Sequence, residues 1–194
     1  MEHNYQILAE YAGTNFVGWQ YQKNGISIQE ILEKKLKILT KEKIKIIGAG
    51  RTDAGVHAKL QSANFLVKKK IDNHQLFLNS INFFLKKYLI SIISIKRRNL
   101  KFHSRFDALE RVYEYIITNR NSSLALNKDR SWHVKKKIDI KLLKKGAKIL
   151  TGKHDFSTFR ASSCGSKSPI KKINYIKIVK KEDNIFIEFS SQSF

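Results

Sequence analysis

The sequence predicts an α+β fold made of two ferredoxin-like halves that share a largely antiparallel sheet, with helices packed on one face. Three observations support this prediction. Strand-like runs and helix-like segments follow the order strand–helix–strand–strand–helix–strand, then strand–helix–strand–strand. Two of the helix-like segments carry apolar residues at helical spacing. The last two strand-like runs are separated by a short polar turn, which is typical of a hairpin.

The first half begins with a strand at residues 5–11 and continues into a glycine-punctuated loop, "AGTNFVGWQYQ". The segment "SIQE" predicts a helix start, with Ser27 as N-cap and Glu30 three residues later. One face of this helix carries Ile28, Ile31, Leu32, Leu36 and Leu39. Strands are predicted at residues 43–48, 62–67 and 88–95, and a second helix, capped by Asp72, runs from there towards Phe84.

The second half begins with a strand at residues 111–118. A helix follows with its cap near Asp139 and its end at Gly152, and its apolar side carries Ile140, Leu143, Ala147 and Leu150. Strands at 173–179 and 185–189 form the hairpin around "KKEDN". No linker of distinctive composition separates the halves, so we place them at residues 1–104 and 105–194.

The composition favours a polyanionic partner. The 194 residues include 38 Lys and Arg against 16 Asp and Glu, a formal charge of +22. Nucleic acid is the first candidate and an anionic membrane surface the second. The lysines are spread along the whole chain, so a general bias towards lysine explains the charge as well. Cys164 is the single cysteine, and neither a signal peptide nor an apolar run of membrane length is present. We therefore expect a cytoplasmic protein with no membrane association.

The loop "GAGRTDAGVHA", residues 48–58, is the strongest candidate for a functional site. It is not a dinucleotide fingerprint, because Asp53 stands where the third glycine should be. The chain has no G-K-[ST] of a P-loop and no zinc deaminase signature. No second carboxylate lies near Asp53 in the sequence to form a metal pair. We therefore expect neither a cofactor nor a metal.

A lone aspartate on a glycine-rich loop has two interpretations. An ionised Asp53, beside Arg51, could act as a nucleophile or a base, and the arginine could keep it charged or hold a phosphate. Alternatively, Asp53 fixes a tight turn through a hydrogen bond from its own side chain, and Arg51 forms a local salt bridge with it. The residues of the loop alone leave both interpretations open.

The full eleven-residue loop resembles the signature of the tRNA pseudouridine synthase A family. Four further segments resemble motifs of that family in the same order: "YAGTNFVGWQYQ", "SIQEILEKKL", "FHSRFDALERVYEY" and "GKHDFSTFRAS" with "SPIKKI". The resemblance covers nearly the whole chain. It implies isomerisation of uridine to pseudouridine in the anticodon stem-loop of tRNA, at tRNA positions 38 to 40, without a cofactor.

The resemblance assigns the catalytic role to Asp53, which would attack the flipped nucleoside covalently, at either the ribose or the uracil ring. Arg51 matches the arginine near the flipped nucleotide, and Tyr113 matches the active-site tyrosine that stacks on the uracil. Inside the matched motifs, His57 is expected to support the loop. The RNA-binding residues implied are Arg105, Arg160, Lys167 and Lys171. The family also implies a homodimer with tRNA across both subunits.

The resemblance stops before the last motif of the family, a histidine-rich helix start with an arginine that pairs with the catalytic carboxylate. We therefore expect a C-terminally shortened member and keep three hypotheses. The chain is an active tRNA pseudouridine synthase, a non-catalytic RNA-binding remnant of the family, or a general basic RNA-binding module that keeps the loop for structure only. Release of tritium from tRNA labelled at uridine C5 separates the first hypothesis from the others.

Overall fold

The computed structural model describes residues 1–160 and 168–193. Nine strands and three α-helices lie in this part of the chain: β1 (His3–Tyr11), α1 (Ile28–Thr40), β2 (Ile46–Gly48), β3 (Ala58–Val67), α2 (His74–Leu85), β4 (Ile90–Arg98), β5 (Arg111–Thr118), β6 (Trp132–His133), α3 (Ile140–Leu150), β7 (Gly152–Asp155), β8 (Ile170–Lys181) and β9 (Asn184–Ser191). The chain divides into an N-terminal unit, Met1–Ala108, and a C-terminal unit, Leu109–Phe194.

The predicted α+β class is confirmed, but the strands form two sheets. The N-terminal unit has the order β2-β3-β1-β4, and the C-terminal unit has the order β6-β5-β9-β8-β7. All pairings in the described residues are antiparallel except β5 with β6. The single shared sheet was therefore wrong. Strand β5, the first strand of the C-terminal unit, has both of its edges occupied within that unit, by β6 and β9.

The core of the N-terminal unit lies between one face of its sheet and the helices α1 and α2. Alternate residues of β1 point into it, because successive side chains of a strand face opposite ways. Fully or almost fully buried side chains include Tyr5, Ile7, Phe65, Leu32, Leu36, Ile81 and Leu85. Since α1 and α2 also contact each other, the sheet is covered on this face by a continuous apolar layer.

The opposite face of the same sheet carries a buried polar network. The Asn4 side chain donates to the carbonyls of Asn99 and Phe102, at 3.0 and 2.8 Å, and accepts from Asn64 Nδ2 at 3.1 Å. The Ser104 backbone N–H donates to Asn64 Oδ1 at 2.9 Å. These bonds satisfy the buried amides and fix the segment after β4 against the sheet.

Two of the three predicted helix caps are confirmed. Ser27 Oγ accepts from the Glu30 N–H at 3.2 Å, and Asp139 accepts from two N–H groups at the start of α3. The cap of α2 is Asn73, whose Oδ1 accepts from the Leu76 N–H at 2.8 Å, so the prediction of Asp72 was wrong. Asp72 pairs with Lys70 at 2.9 Å instead. Both residue types cap well, and Asn73 is the cap because it directly precedes His74, the first residue of α2.

The C-terminal unit follows its prediction in outline. The hairpin is present and longer than expected, with Glu182 in the left-handed region at φ 51°. Helix α3 packs Ile140, Leu143 and Ala147 against the sheet, whereas Leu150, predicted on the same side, is exposed. Gly152 ends the helix with φ 112° and opens β7. Strands β6 and β7 were not predicted, because neither has an alternating apolar pattern.

Candidate active site

The loop that carries Asp53 connects β2 to β3 at one end of the N-terminal sheet. Its first residues are tied to β3. The Ala49 N–H donates to the Ser62 carbonyl at 2.8 Å, and the Gln61 side chain donates to the Gly50 carbonyl at 2.6 Å. The loop therefore leaves the sheet in a fixed direction.

A second set of contacts comes from the loop between β1 and α1. The Trp19 N–H donates to the Thr52 carbonyl at 2.9 Å, and the Tyr11 hydroxyl lies 2.9 Å from Thr52 Oγ1. His57 Nδ1 accepts from the Gly13 N–H at 3.2 Å, which gives His57 the supporting role expected from the sequence. Because Trp19 and Tyr11 are themselves buried, the contacts connect the loop to the hydrophobic core of the unit.

Two glycines make this approach possible. A Cβ at Gly18 would lie 2.6 Å from the Thr52 carbonyl oxygen, and Gly18 has φ 110°, a backbone conformation that L-residues rarely adopt. A Cβ at Gly13 would lie 2.0 Å from the Val56 carbonyl oxygen. The glycine content of the first loop is therefore explained by how closely the two backbones pack on either side of Asp53.

Asp53 is exposed and lines an open pocket of about 330 Å³ together with Arg51. The other lining residues are Val17, Gln20, Gln22, Asn24, Thr52 and Ala54. The Asp53 backbone carbonyl accepts from the Val56 N–H at 3.2 Å and closes a turn. In the part of the chain that the structure describes, no side chain forms an ion pair or a hydrogen bond with the Asp53 carboxylate. The turn is therefore held by the backbone, not by the carboxylate.

This geometry bears on the two interpretations of the loop. Neither the side-chain turn bond nor the salt bridge between Arg51 and Asp53 forms within residues 1–160 and 168–193. Instead, an acceptor group and a guanidinium line one solvent-filled depression, on a loop whose backbone is fixed on both sides. Such a site can hold an anionic or polar ligand while the carboxylate remains able to react.

Tyr113 belongs to the C-terminal unit. It lies on β5, half buried, directly opposite Phe189 of β9. The two rings stack with their centroids 5.9 Å apart and their planes 24° apart. The Phe189 ring therefore fixes the orientation of the tyrosine ring, since an offset stack restricts rotation about the side-chain bonds.

The basic residues expected to bind RNA lie in several places. Arg105 is exposed, with its guanidinium 5.8 Å from the centre of the Phe106 ring, in the segment held by Asn64. Arg160 is exposed, directly after the short 3₁₀ helix Ser157–Phe159. Lys171 lies on β8 and lines a second pocket. Lys167 lies outside the described residues.

Sequence reasoning assigned no role to three polar residues of the Asp53 pocket, namely Gln20, Gln22 and Asn24. Their segment resembles a motif of the family, but only the fold shows that it lies beside Asp53. Within the described chain, no cluster of His, Asp or Glu side chains could hold a metal ion. No helix of the described residues is long and apolar enough to cross a bilayer.

Comparisons with known proteins agree with the motifs. A family model described as tRNA pseudouridine synthase matches residues 7–107 and 147–194. The tRNA pseudouridine synthase A of Pelagibacter ubique is 56% identical over 190 residues, which cover 98% of this chain and 77% of that protein. The proteins of the same name from Anaplasma phagocytophilum and Neorickettsia sennetsu are each 40% identical, with 98% of this chain and 78% of each relative covered. The chain therefore belongs to the tRNA pseudouridine synthase family and is an isomerase.

Proposed function

We propose that this chain converts uridine to pseudouridine in the anticodon stem-loop of tRNA, at tRNA positions 38 to 40, with Asp53 as the nucleophile. The observation that carries the proposal is the exposed Asp53 carboxylate, which lines a pocket on a loop fixed by backbone contacts. Membership of the family supplies the substrate class.

The chemistry requires one covalent intermediate and no net change in composition. The Asp53 carboxylate attacks the ribose or the uracil ring, and the bond between N1 and the ribose breaks. The uracil turns and rejoins the ribose through C5, and the bond between Asp53 and the substrate breaks, which frees the carboxylate. The C5 proton is lost and N1 gains a proton, so the product has the composition of the substrate. Because the product is an isomer of the substrate, no oxidant, reductant or energy-rich cofactor is consumed.

The other site residues prepare the substrate for this attack. Extruding a nucleotide from the stem-loop costs a few kcal/mol, and phosphate contacts to a chain of net charge +22 can supply it. Arg51 would hold a backbone phosphate or fill the vacated stack. Tyr113 would stack on the extruded uracil, which is worth roughly 1–3 kcal/mol per base, and its hydroxyl would assist removal of the C5 proton.

Basic residues elsewhere would hold the rest of the tRNA, namely Arg105, Arg160, Lys167 and Lys171. We further propose that the N-terminal half contains the catalytic residue and that the enzyme acts in the cytoplasm. We also propose that it works as a homodimer, with tRNA lying across both subunits. Size-exclusion chromatography with light scattering tests the homodimer.

Tritium release from tRNA labelled at uridine C5 tests the central proposal. Wild type is expected to release tritium, and Asp53→Asn to release none while it binds tRNA with unchanged affinity, because the substitution removes the nucleophile and leaves the backbone of the turn in place. Asp139→Asn is the matched control, since asparagine also caps a helix, and it should keep full release. If wild type binds tRNA but releases nothing, the chain is a non-catalytic RNA-binding member.

A further inference from the structure

Strands β7 and β8 place two lysines of the C-terminal unit side by side. Lys153 lies directly opposite Lys172 in the antiparallel pair, and both side chains are exposed. Directly opposite side chains in such a pair share one face, with Cβ atoms about 4.5–5.5 Å apart, where like charges repel. Among the described residues, no carboxylate forms an ion pair with either lysine. The pair is therefore a source of repulsion in the free protein.

Among the described strand pairings, the same sheet contains one other like-charged pair, and there a lysine on the neighbouring strand offsets part of the charge. Glu114 lies opposite Glu188, but Lys177 lies opposite Glu188 on its other side. The Tyr175 hydroxyl also donates to Glu188 Oε1 at 3.1 Å. The contrast shows that the sheet can compensate like charges from within, and that in its described part the lysine pair has no such partner.

The lysine pair borders a pocket of about 370 Å³ whose chemistry suits an anion. Lys171 is a third lysine of the lining, and its Nζ lies 3.4 Å from Ser193 Oγ. Asn174 also lines the pocket, and its Nδ2 donates to Ser190 Oγ at 3.3 Å. Three of the described lining residues are lysines and none is Asp or Glu, so positive charge outweighs negative charge around the pocket.

We propose that Lys153 and Lys172 bind a backbone phosphate of RNA at the edge of this pocket. The proposal rests on the proposed function, because tRNA is the polyanion that this family acts on. A phosphate between the two ammonium groups replaces their repulsion with two attractions. Lysine suits this task because its ammonium is a compact point charge that does not read sequence. The site therefore positions tRNA and adds affinity that does not depend on the base sequence.

Lys153→Glu is the decisive variant, because it has opposite effects on stability and binding. The new carboxylate lies opposite Lys172, so the melting temperature of the free protein should rise. Affinity for tRNA should fall by at least about tenfold, and the slope of log K against log salt should become shallower by about 1, since roughly one phosphate contact is lost. Lys153→Gln should give a smaller loss in the same direction.

Lys180→Glu is the matched control. Lys180 is an exposed lysine on β8, the strand that also carries Lys172. The two residues are roughly 26 Å apart at 3.3 Å per residue, and Lys180 lies opposite the apolar Ile185. The change in net charge is the same, but no like-charged pair is relieved. It should leave tritium release unchanged and reduce tRNA affinity by no more than about twofold. The double variant Lys153→Glu with Lys172→Glu places two glutamates opposite each other, so the melting temperature should fall back and tRNA binding should weaken further.

The remaining outcomes separate this proposal from its alternatives. If Lys153→Glu and Lys180→Glu weaken tRNA binding equally, the charge acts diffusely and the phosphate site is wrong. If Lys153→Glu weakens binding to phosphatidylserine vesicles and leaves tRNA binding intact, the pair serves a membrane and the proposal is overturned. If wild type releases no tritium but the two variants still differ in tRNA binding, the phosphate site stands and the catalytic proposal fails.

Discussion

The two units of this chain differ sharply in how much of their apolar surface they bury. In the described residues, the main core of the N-terminal unit contains twenty buried side chains, whereas that of the C-terminal unit contains three, Ile117, Ile178 and Ile185. Helix α1 buries four residues, and α3 buries none. Both units expose large apolar side chains, among them Phe83 and Phe106 in the first and Trp132 and Phe159 in the second, so the difference lies in the size of the buried core.

This difference shows which part of the proposed chemistry can depend on rigid support. The loop of Asp53 is hydrogen-bonded through Thr52 to Trp19 and Tyr11. Both residues belong to the large core of the N-terminal unit, so that core fixes the position of the loop. Tyr113 and the lysine pair lie on a sheet with a much smaller core. We therefore expect the C-terminal unit to open locally at a lower free energy than the N-terminal unit.

Replacing one helical leucine by alanine in each unit should show the largest difference between the units, measured as the loss in free energy of unfolding. Leu32→Ala removes a fully buried side chain from α1, and it should lower the free energy of unfolding by about 2–5 kcal/mol. Leu143→Ala on α3 removes a side chain that is only partly buried, and it should cost about 1 kcal/mol. Urea unfolding followed by circular dichroism measures both. Equal costs would mean that the two units are equally well packed.

The elements that sequence reasoning located best are those with a strong local signal. Strand β5 was predicted with its observed bounds, and α1 and α3 with their caps, because periodicity and capping depend on neighbouring residues. The register of β7 against β8 depends on residues far apart in the sequence. The opposition of Lys153 and Lys172 therefore could not be predicted.

Replacing one glycine by alanine in each unit should give a difference in stability of intermediate size. Gly18→Ala places a methyl group 2.6 Å from the Thr52 carbonyl and strains a residue at φ 110°, so it should cost roughly 1–3 kcal/mol and displace the Asp53 loop. Gly146→Ala on α3 has no atom within 4 Å of the new methyl group and should stabilise the protein by about 0.5–1 kcal/mol.

Thermal unfolding and tritium release, measured on the same samples, test this pair. Gly18→Ala should lose more tritium release than its loss of stability explains at the assay temperature, and Gly146→Ala should keep full release. If Gly18→Ala keeps both stability and release, the close contact between the two loops does not position Asp53.

The candidate site shows the same limit of sequence reasoning. Asp53 and Arg51 were found because a single eleven-residue segment contains both. The contacts that fix their loop come from Gly13, Trp19 and Tyr11, which are more than thirty residues away in the sequence. A motif therefore identifies the reacting group, whereas its support depends on how the chain folds back on itself.

The loss of stability at acid pH should show the smallest of the expected differences between the two units. Hydrogen bonds from the Lys68 and Lys69 N–H groups lower the pKa of Glu42 below its ordinary value of 4.5. In the C-terminal unit, hydrogen bonds from the Ser157 hydroxyl and N–H lower the pKa of Asp155 below 3.8. A carboxylate with a lowered folded-state pKa stabilises the protein above its unfolded-state pKa, and this contribution is lost as the pH falls through the folded-state value.

The two carboxylates differ in how far along the chain their contacts reach. The contacts of Glu42 span 26 and 27 residues, so unfolding breaks them, whereas those of Asp155 span two residues and can persist in the unfolded chain. Glu42→Gln should therefore flatten the loss of melting temperature below pH 4.5 more than Asp155→Asn does, although both effects are small at exposed positions. If Asp155→Asn instead reduces the acid-dependent loss of melting temperature more than Glu42→Gln does, the hydrogen bonds between Asp155 and Ser157 contribute more to stability than those between Glu42 and the Lys68 and Lys69 N–H groups.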